Sequence, residues 1–214
     1  MTVETVIVLA AGEGTRMKSA KAKVLHSVAG RSLLGHVLHA VDHLKAKNVR
    51  IVVGSGRELV EEHISLIAPK ASTVFQEHRG GTGHAAQLAL AGLSPKGTVL
   101  VLAGDTPMLT GESLAAFIDA HNAGKFAASV LTAEHPDPTG YGRIIRDDAD
   151  ELLKIVEEKD ATESEKEIDE INTGVYLFDL ALLRDVIKNL KSNNAQKELY
   201  LTDVISLINS SGKK

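Results

Sequence analysis

Val6-Ile7-Val8-Leu9-Ala10-Ala11-Gly12-Glu13-Gly14-Thr15-Arg16 is an apolar run that empties into a charged, glycine-rich loop. Val6–Leu9 predicts a buried strand near the N-terminus. Gly12 and Gly14 at its C-terminal end would expose backbone N–H groups, and Arg16 and Lys23 bring positive charge to the same edge. Close backbone approach, fixed donors and two cations suit a polyphosphate, so the loop is expected to hold a nucleoside triphosphate. The spelling excludes two common phosphate loops. A P-loop closes on Gly-Lys-Ser/Thr, whereas Thr15-Arg16 follows Gly14 here. A dinucleotide fingerprint needs a third small residue where Met17 stands, and a helix starting at once. This segment instead stays polar through Ser19, Lys21 and Lys23 before Val24.

Working outward, short apolar runs alternate with helical patterns, the mark of a parallel sheet with crossover helices. Helices are predicted around Leu33–Lys47, Glu58–Ile67, His84–Leu93 and Gly111–Asn122, the last with Gly124 as a stop. Between them Val49–Val53, Ser72–Phe75, Thr98–Leu102 and Ala127–Thr132 read as strands. After Pro136 and Pro138 the pattern changes. Tyr141–Ile145, Leu152–Val156 and Gly174–Phe178 read as strands joined by charged turns, forming a lobe laid over the strand ends. The charge-dense run Glu157–Glu170 reads as a solvated helix or loop outside Glu157. Two final helices fit Leu180–Leu190 and Leu201–Ile208. The expected fold is a doubly wound α/β domain with a mostly parallel, Rossmann-like sheet and a small β lobe. It would be one domain over residues 1–214, split into parts 1–135 and 136–214.

Composition narrows the classes. A length of 214 residues favours one substantial core over two small ones, and a formal charge of −4 argues against nucleic-acid or membrane-surface binding. Cysteine is absent, so no disulfide, thiol nucleophile or Cys-ligated zinc operates, compatible with a cytoplasmic location. Of the histidines, His39 and His43 alone have ligand-like spacing on one face of a helix, and no second cluster completes a zinc site. No Gly-x-Ser-x-Gly elbow supports a serine hydrolase.

Two more stretches carry chemistry. Val99–Asp105 is a buried strand delivering a carboxylate at its C-terminal end, the edge where open α/β sheets gather ligands. Asp105 facing phosphates implies Mg²⁺; the bland alternative is a cap for the next helix. Gln76-Glu77-His78-Arg79-Gly80-Gly81-Thr82-Gly83-His84-Ala85 is a second glycine-rich segment. Its glycines let backbone approach something flat, and a side-chain amide can read the edge of a base. The bland alternative is a strand-to-helix turn with Thr82 as N-cap.

Leu-Ala-Ala-Gly-Glu-Gly-Thr-Arg followed by Lys23-Val24-Leu25-His26 resembles the signature of sugar-nucleotide pyrophosphorylases, the nucleotide-diphospho-sugar transferase family. The variant ending in His26 looks most like the N-terminal uridylyltransferase domains of bacterial bifunctional N-acetylglucosamine-1-phosphate uridylyltransferase/glucosamine-1-phosphate acetyltransferases. The resemblance covers nearly the whole chain. It implies transfer of UMP from UTP to N-acetylglucosamine 1-phosphate, giving UDP-N-acetylglucosamine, a cell-wall precursor, and pyrophosphate. By resemblance, Arg16 and Lys23 are catalytic, and Leu9, Ala10, Ala11, Gly12, Gly14, Thr15, Gln76, Gly81 and Thr82 bind the nucleotide. Gly142, Glu157, Asn172, Tyr200 and Thr202 bind the sugar, and Asp105 in Gly104–Pro107 holds Mg²⁺. Parts 1–135 and 136–214 are then the nucleotide-binding and sugar-binding parts.

There are departures. Ala22 replaces the proline usual before the lysine, and Arg79 replaces a second glutamine. An arginine donates to uracil oxygens but cannot accept from N3–H. The family's Val-Asn-x-Arg motif, whose asparagine is a second metal ligand, is not found, and Asn209 does not sit in one. The hexapeptide repeats of an acetyltransferase β-helix are absent too. The expectations that follow are low turnover with retained UDP-sugar binding, no acetyl transfer, and a monomer or weak dimer. The competing readings are a nucleotidyltransferase with a different base or sugar, and a catalytically weak sugar-nucleotide-binding module.

Overall fold

A computed structural model describes residues 3–14 and 17–212. Thr15 and Arg16 lie outside the described residues. The chain forms an eight-stranded sheet in the order β5-β4-β1-β6-β10-β8-β9, with β7 on the other edge of β10. Here β1 is Thr5–Ala10, β4 Asn48–Val53, β5 Ser72–Phe75, β6 Thr98–Ala103, β7 Ala128–Glu134, β8 Arg143–Arg146, β9 Leu152–Val156 and β10 Glu170–Asp179. Strands β5, β4, β1 and β6 are parallel neighbours, and β7 and β8 run the same way because each is antiparallel to the reversed β10. The short strands β2 (Ser27–Val28) and β3 (Arg31–Ser32) make a separate hairpin, turned by Ala29 and Gly30 at positive φ.

Apolar side chains alternate across the sheet with period two. Val6, Val8 and Ala10 of β1 face one core with α1 (Leu33–His43), α2 (Arg57–Ile67) and α4 (Gly111–Gly124). Ile7 faces the other core, with α3 (Gly81–Leu90), α6 (Leu180–Val186) and α7 (Asp203–Ser210). Helices on both faces explain why β1 and β6 are almost continuously apolar. The chain is therefore doubly wound, and order reverses at β1, which takes β4 on one side and β6 on the other. The C-terminal ends of β1 and β6 form the switch point at which such sheets bind ligands.

Several boundaries differ from the sequence reading. Helix α1 stops at His43 rather than Lys47, because Lys45 takes a left-handed conformation (φ 52°). In α4 the left-handed cap falls on Lys125, not Gly124. Helix α3 begins at Gly81 instead of His84 and ends at Leu90. The two last helices shift too: α6 continues after Val186 as a 3-10 turn, and α7 begins at Asp203. Within 157–170 the short helix α5 (Glu163–Lys166) forms, closed by a capping box between Thr162 and Glu165.

Strand β10 is longer than the apolar run Gly174–Phe178 and changes partner along its length. Val175–Asp179 pair with β6, while Ile171 pairs with Arg143 of β8. A bulge between Asn172 and Val175, with Gly174 at φ 78°, makes the change possible. The β8–β9 hairpin therefore extends the sheet itself rather than lying over the strand ends.

Candidate nucleotide and sugar-phosphate site

The loops after β1 and β6 meet. Gly104 N–H donates to Leu9 O (2.9 Å), and the Lys23 ammonium ion-pairs with Asp105 Oδ2. Gly14 makes this approach possible. Its φ is 64°, and a Cβ there would lie 2.6 Å from Lys23 Cβ, so a larger residue would push the lysine stem away. Leu9, Ala10, Gly12, Gly14, Lys23 and Asp105 line one cavity of about 360 Å³. Asp105 does not cap the following helix; that is done by Thr110, whose side chain accepts from Ser113 N–H.

An adjoining cleft of about 430 Å³ shares Leu9, Gly12 and Gly14 and adds Ala11, Gln76, Gly81 and Thr82. Glu157 and Asn172 line it too. A larger cavity of about 730 Å³ between α1 and α2 holds none of the motif residues. Convergent polar groups, not volume, identify a site.

The second glycine loop packs against a distant part of its own chain. What the glycines admit at close range is the chain's own Glu198–Leu201 segment. Gly83 N–H donates to Leu199 O (2.7 Å), and Leu199 N–H donates to Gly80 O (2.7 Å). A Cβ on Gly81 (φ 90°) would lie 2.5 Å from Leu199 O, and one on Gly83 2.9 Å from it. Thr82 does not cap its helix; its Oγ1 accepts from Leu201 N–H (3.0 Å). Gln76 Nε2 donates to Gly81 O (3.1 Å) and meets His84 Nδ1 (3.1 Å), so the glutamine is fixed against the loop.

The sugar-side residues form one connected cluster. Asn172 N–H donates to Gly142 O (2.8 Å), and Thr202 Oγ1 donates to Glu157 Oε1 (3.2 Å). Gly142 lies against both: a Cβ there would meet Ile155 Cγ2 at 3.3 Å, and Glu157 Oε2 and Asn172 Cβ at an ordinary contact distance of 3.5 Å. Asn172 also serves the bulge: its Oδ1 accepts from Gly174 N–H (3.0 Å), and its Nδ2 donates to the buried Tyr176 hydroxyl (2.7 Å). Burial pushes the Glu157 carboxyl above the usual range, and nearby Asp203 and Asp160 push the same way. Tyr200 is buried, with its hydroxyl beside the Asp160 and Glu157 carboxylates. Burial first, then the Asp160 and Glu157 charges, raise its pKa.

The donor set also fits Mg²⁺ in a limited way. Among the described residues no cluster of three His, Cys, Asp or Glu could hold a metal. Mg²⁺ commonly takes one or two carboxylates and completes its shell with substrate phosphates and water. Asp105, already paired with a cation beside the glycine loop, suits that role. Asn209 does not contribute: its Nδ2 donates to Leu152 O (2.6 Å) and Leu153 O (2.8 Å), fixing α7 to β9.

Sequence reasoning missed Glu13, Tyr176, His84 and Glu198. Glu198 lies two residues before Tyr200 and lines the cleft, and Tyr176 is signalled by inward alternation along β10. The His84 contact with Gln76 had no sequence signal beyond proximity. Arg16 and Thr15 lie outside the described residues, so their expected roles have no geometry here.

Fold and site together define a nucleotidyltransferase domain, and the chain belongs to the MobA-like NTP transferase domain family, whose profile matches residues 6–168. The bifunctional protein GlmU of Thermobifida fusca is 50% identical over 214 residues, covering 98% of this chain and 44% of the relative. The bifunctional protein GlmU of Alkaliphilus metalliredigens is 50% identical over 208 residues, covering 97% of this chain and 45% of its own length. The chain thus spans less than half the length of these relatives. A solved UDP-glucose pyrophosphorylase complexed with UDP-glucose superposes with a TM-score of 0.79 at 17% identity, covering 100% of this chain and 89% of the other. No helix among the described residues is long and apolar enough to cross a membrane.

Proposed function

We propose that this domain transfers UMP from UTP to N-acetylglucosamine 1-phosphate, releasing pyrophosphate, with residues 1–135 serving the nucleotide and 136–214 the sugar. The observation that carries the reading is the continuity of the two cavities. A cavity lined by Lys23 and Asp105 shares Leu9, Gly12 and Gly14 with a cleft lined by Gln76, Glu157 and Asn172. The relatives at 50% identity support a uridylyltransferase of this kind. They favour it over a different base or sugar and over a binding module without turnover.

A phosphate oxygen of the sugar 1-phosphate attacks the α-phosphorus of UTP. The new P–O bond forms as the bond to the β-phosphate's bridging oxygen breaks, and the electron pair leaves with pyrophosphate. The attacking oxygen is already ionised at neutral pH, so no general base is needed. The chain's contribution is alignment and charge. The Gly12–Gly14 loop offers backbone N–H groups, and the Lys23 ammonium offsets phosphate charge. Gln76, Gly81 and Thr82 hold the base. Glu157 and Asn172 accept and donate at sugar hydroxyls, with Gly142, Tyr200 and Thr202 shaping the sugar end. Asp105 would hold Mg²⁺, which when bound neutralises charge on the phosphates. Substrates and product of this kind suit a cytoplasmic enzyme.

Calorimetry with UDP-N-acetylglucosamine, UDP-glucose and dTDP-glucose tests the specificity. The expected order is tightest binding for UDP-N-acetylglucosamine. Equal or tighter binding of a sugar nucleotide lacking the acetamido group would assign the domain to another sugar.

A further inference from the structure

Glu13 is out of place in a loop meant for phosphates. It sits between Gly12 and Gly14, which line the 360 Å³ phosphate cavity, yet Glu13 itself lines the adjoining 430 Å³ cleft. From the opposite loop the Arg79 guanidinium ion-pairs with Glu13 Oε1. Both side chains line the 430 Å³ cleft, so the pair joins the two glycine-rich loops across its mouth. The side chains are 63% (Arg79) and 37% (Glu13) exposed, and a pair so exposed contributes little to folding. Its effect on a bound polyanion is larger. A unit charge within about 10 Å of several phosphate charges is inside the screening length and acts on all of them.

We propose that Arg79 is a positioning residue for the nucleoside triphosphate: it neutralises Glu13 and holds that carboxylate away from the phosphate-binding backbone. This deepens the uridylyltransferase reading and rests on it. Arg79 thereby compensates for the acidic residue inside the phosphate loop. Its loss should unmask repulsion rather than remove a base contact. The charge is what matters, so Lys at position 79 retains much of the effect although it cannot form a planar fork.

The test is calorimetric binding of UTP, with UDP-N-acetylglucosamine beside it, to the parent, R79Q, R79K, E13Q and the double variant E13Q/R79Q. R79Q should weaken UTP binding about tenfold at low ionic strength, with the loss shrinking as salt is added. UDP-N-acetylglucosamine, with fewer phosphate charges, should lose less. E13Q should tighten UTP binding, R79K should stay near the parent, and E13Q/R79Q should return to within about threefold of it. R79Q binding UTP like the parent would overturn the proposal. So would a double variant as weak as R79Q, since Arg79 would then touch the nucleotide directly. A parent that binds no UTP would instead overturn the uridylyltransferase reading on which it rests.

Discussion

The Lys23 ammonium is paired with Asp105 Oδ2, tying the segment after β1 to the end of β6 across the phosphate cavity. Each of the two groups has a charge that a Mg²⁺–triphosphate would engage: the carboxylate by the metal, the ammonium by phosphate. On the proposed function, substrate binding would redistribute the pair. Asp105→Asn should remove the metal's contribution while the fold persists. UTP affinity measured with and without Mg²⁺ should then be nearly equal, with a melting temperature close to the parent's. The same Mg²⁺ enhancement in the variant would remove Asp105 from the metal site.

Lys23→Ala should lower kcat/KM by about 10²-fold, the scale of losing one preorganised charge donor. Arg16→Ala carries the same expectation from its place in the motif. Steady-state kinetics with both substrates varied separates the possibilities. If the sugar-phosphate KM alone moved, the cation would belong to the other substrate.

Glu157 carries a pH consequence whose sign is fixed by its environment. Burial holds its folded pKa above the ordinary 4.5. A carboxyl raised in this way favours the folded state only while protonated. That contribution is complete below the unfolded pKa and is lost as pH rises through the folded one. At neutral pH the ionised group is therefore kept at the expense of stability. Glu157→Gln, which preserves an acceptor for Thr202, should melt at a higher temperature than the parent at pH 7. The gain should fade toward pH 4, and UDP-sugar affinity should fall throughout. An unchanged or lower melting temperature at pH 7 would contradict the account of this site.

Gly81 is held by the approach of Leu199, not by the nucleotide alone. Gly81→Ala forces a Cβ into φ 90° and against Leu199 O. It should destabilise the domain by roughly 2–4 kcal/mol, within the range of strained backbone and overpacked sites. Urea unfolding without ligand reads this directly. A loss of nucleotide affinity with unchanged unfolding would return Gly81 to a purely ligand-facing role.

Much of this was legible before any coordinates. The strand–loop reading of Val6–Gly14 worked because a strand buried on both faces leaves an unbroken apolar run, and its end leaves glycines. The position of Asp105 just past the end of β6 was legible for the same reason, as the first carboxylate after Val99–Ala103. What sequence did not carry is pairing at long range. Nothing near Gly81 or Gly83 announces that Leu199 packs on them. The bulge that lets β10 pass from β8 to β6 depends on partners far along the chain. Helix ends failed where Lys45 and Lys125 adopt a left-handed conformation that glycine or asparagine ordinarily signals. The Glu13–Arg79 pair was hidden because each residue reads alone as a solvated charge.

Pyrophosphate release on mixing the protein with Mg²⁺, UTP and N-acetylglucosamine 1-phosphate tests the proposed uridylyl transfer. CTP, ATP, GTP and other sugar 1-phosphates are crossed in parallel. The account predicts pyrophosphate and UDP-N-acetylglucosamine in equal amounts, fastest for this substrate pair, and lost in Asp105→Asn. A folded protein that releases no pyrophosphate with any pair, or releases it faster with another base, would contradict it.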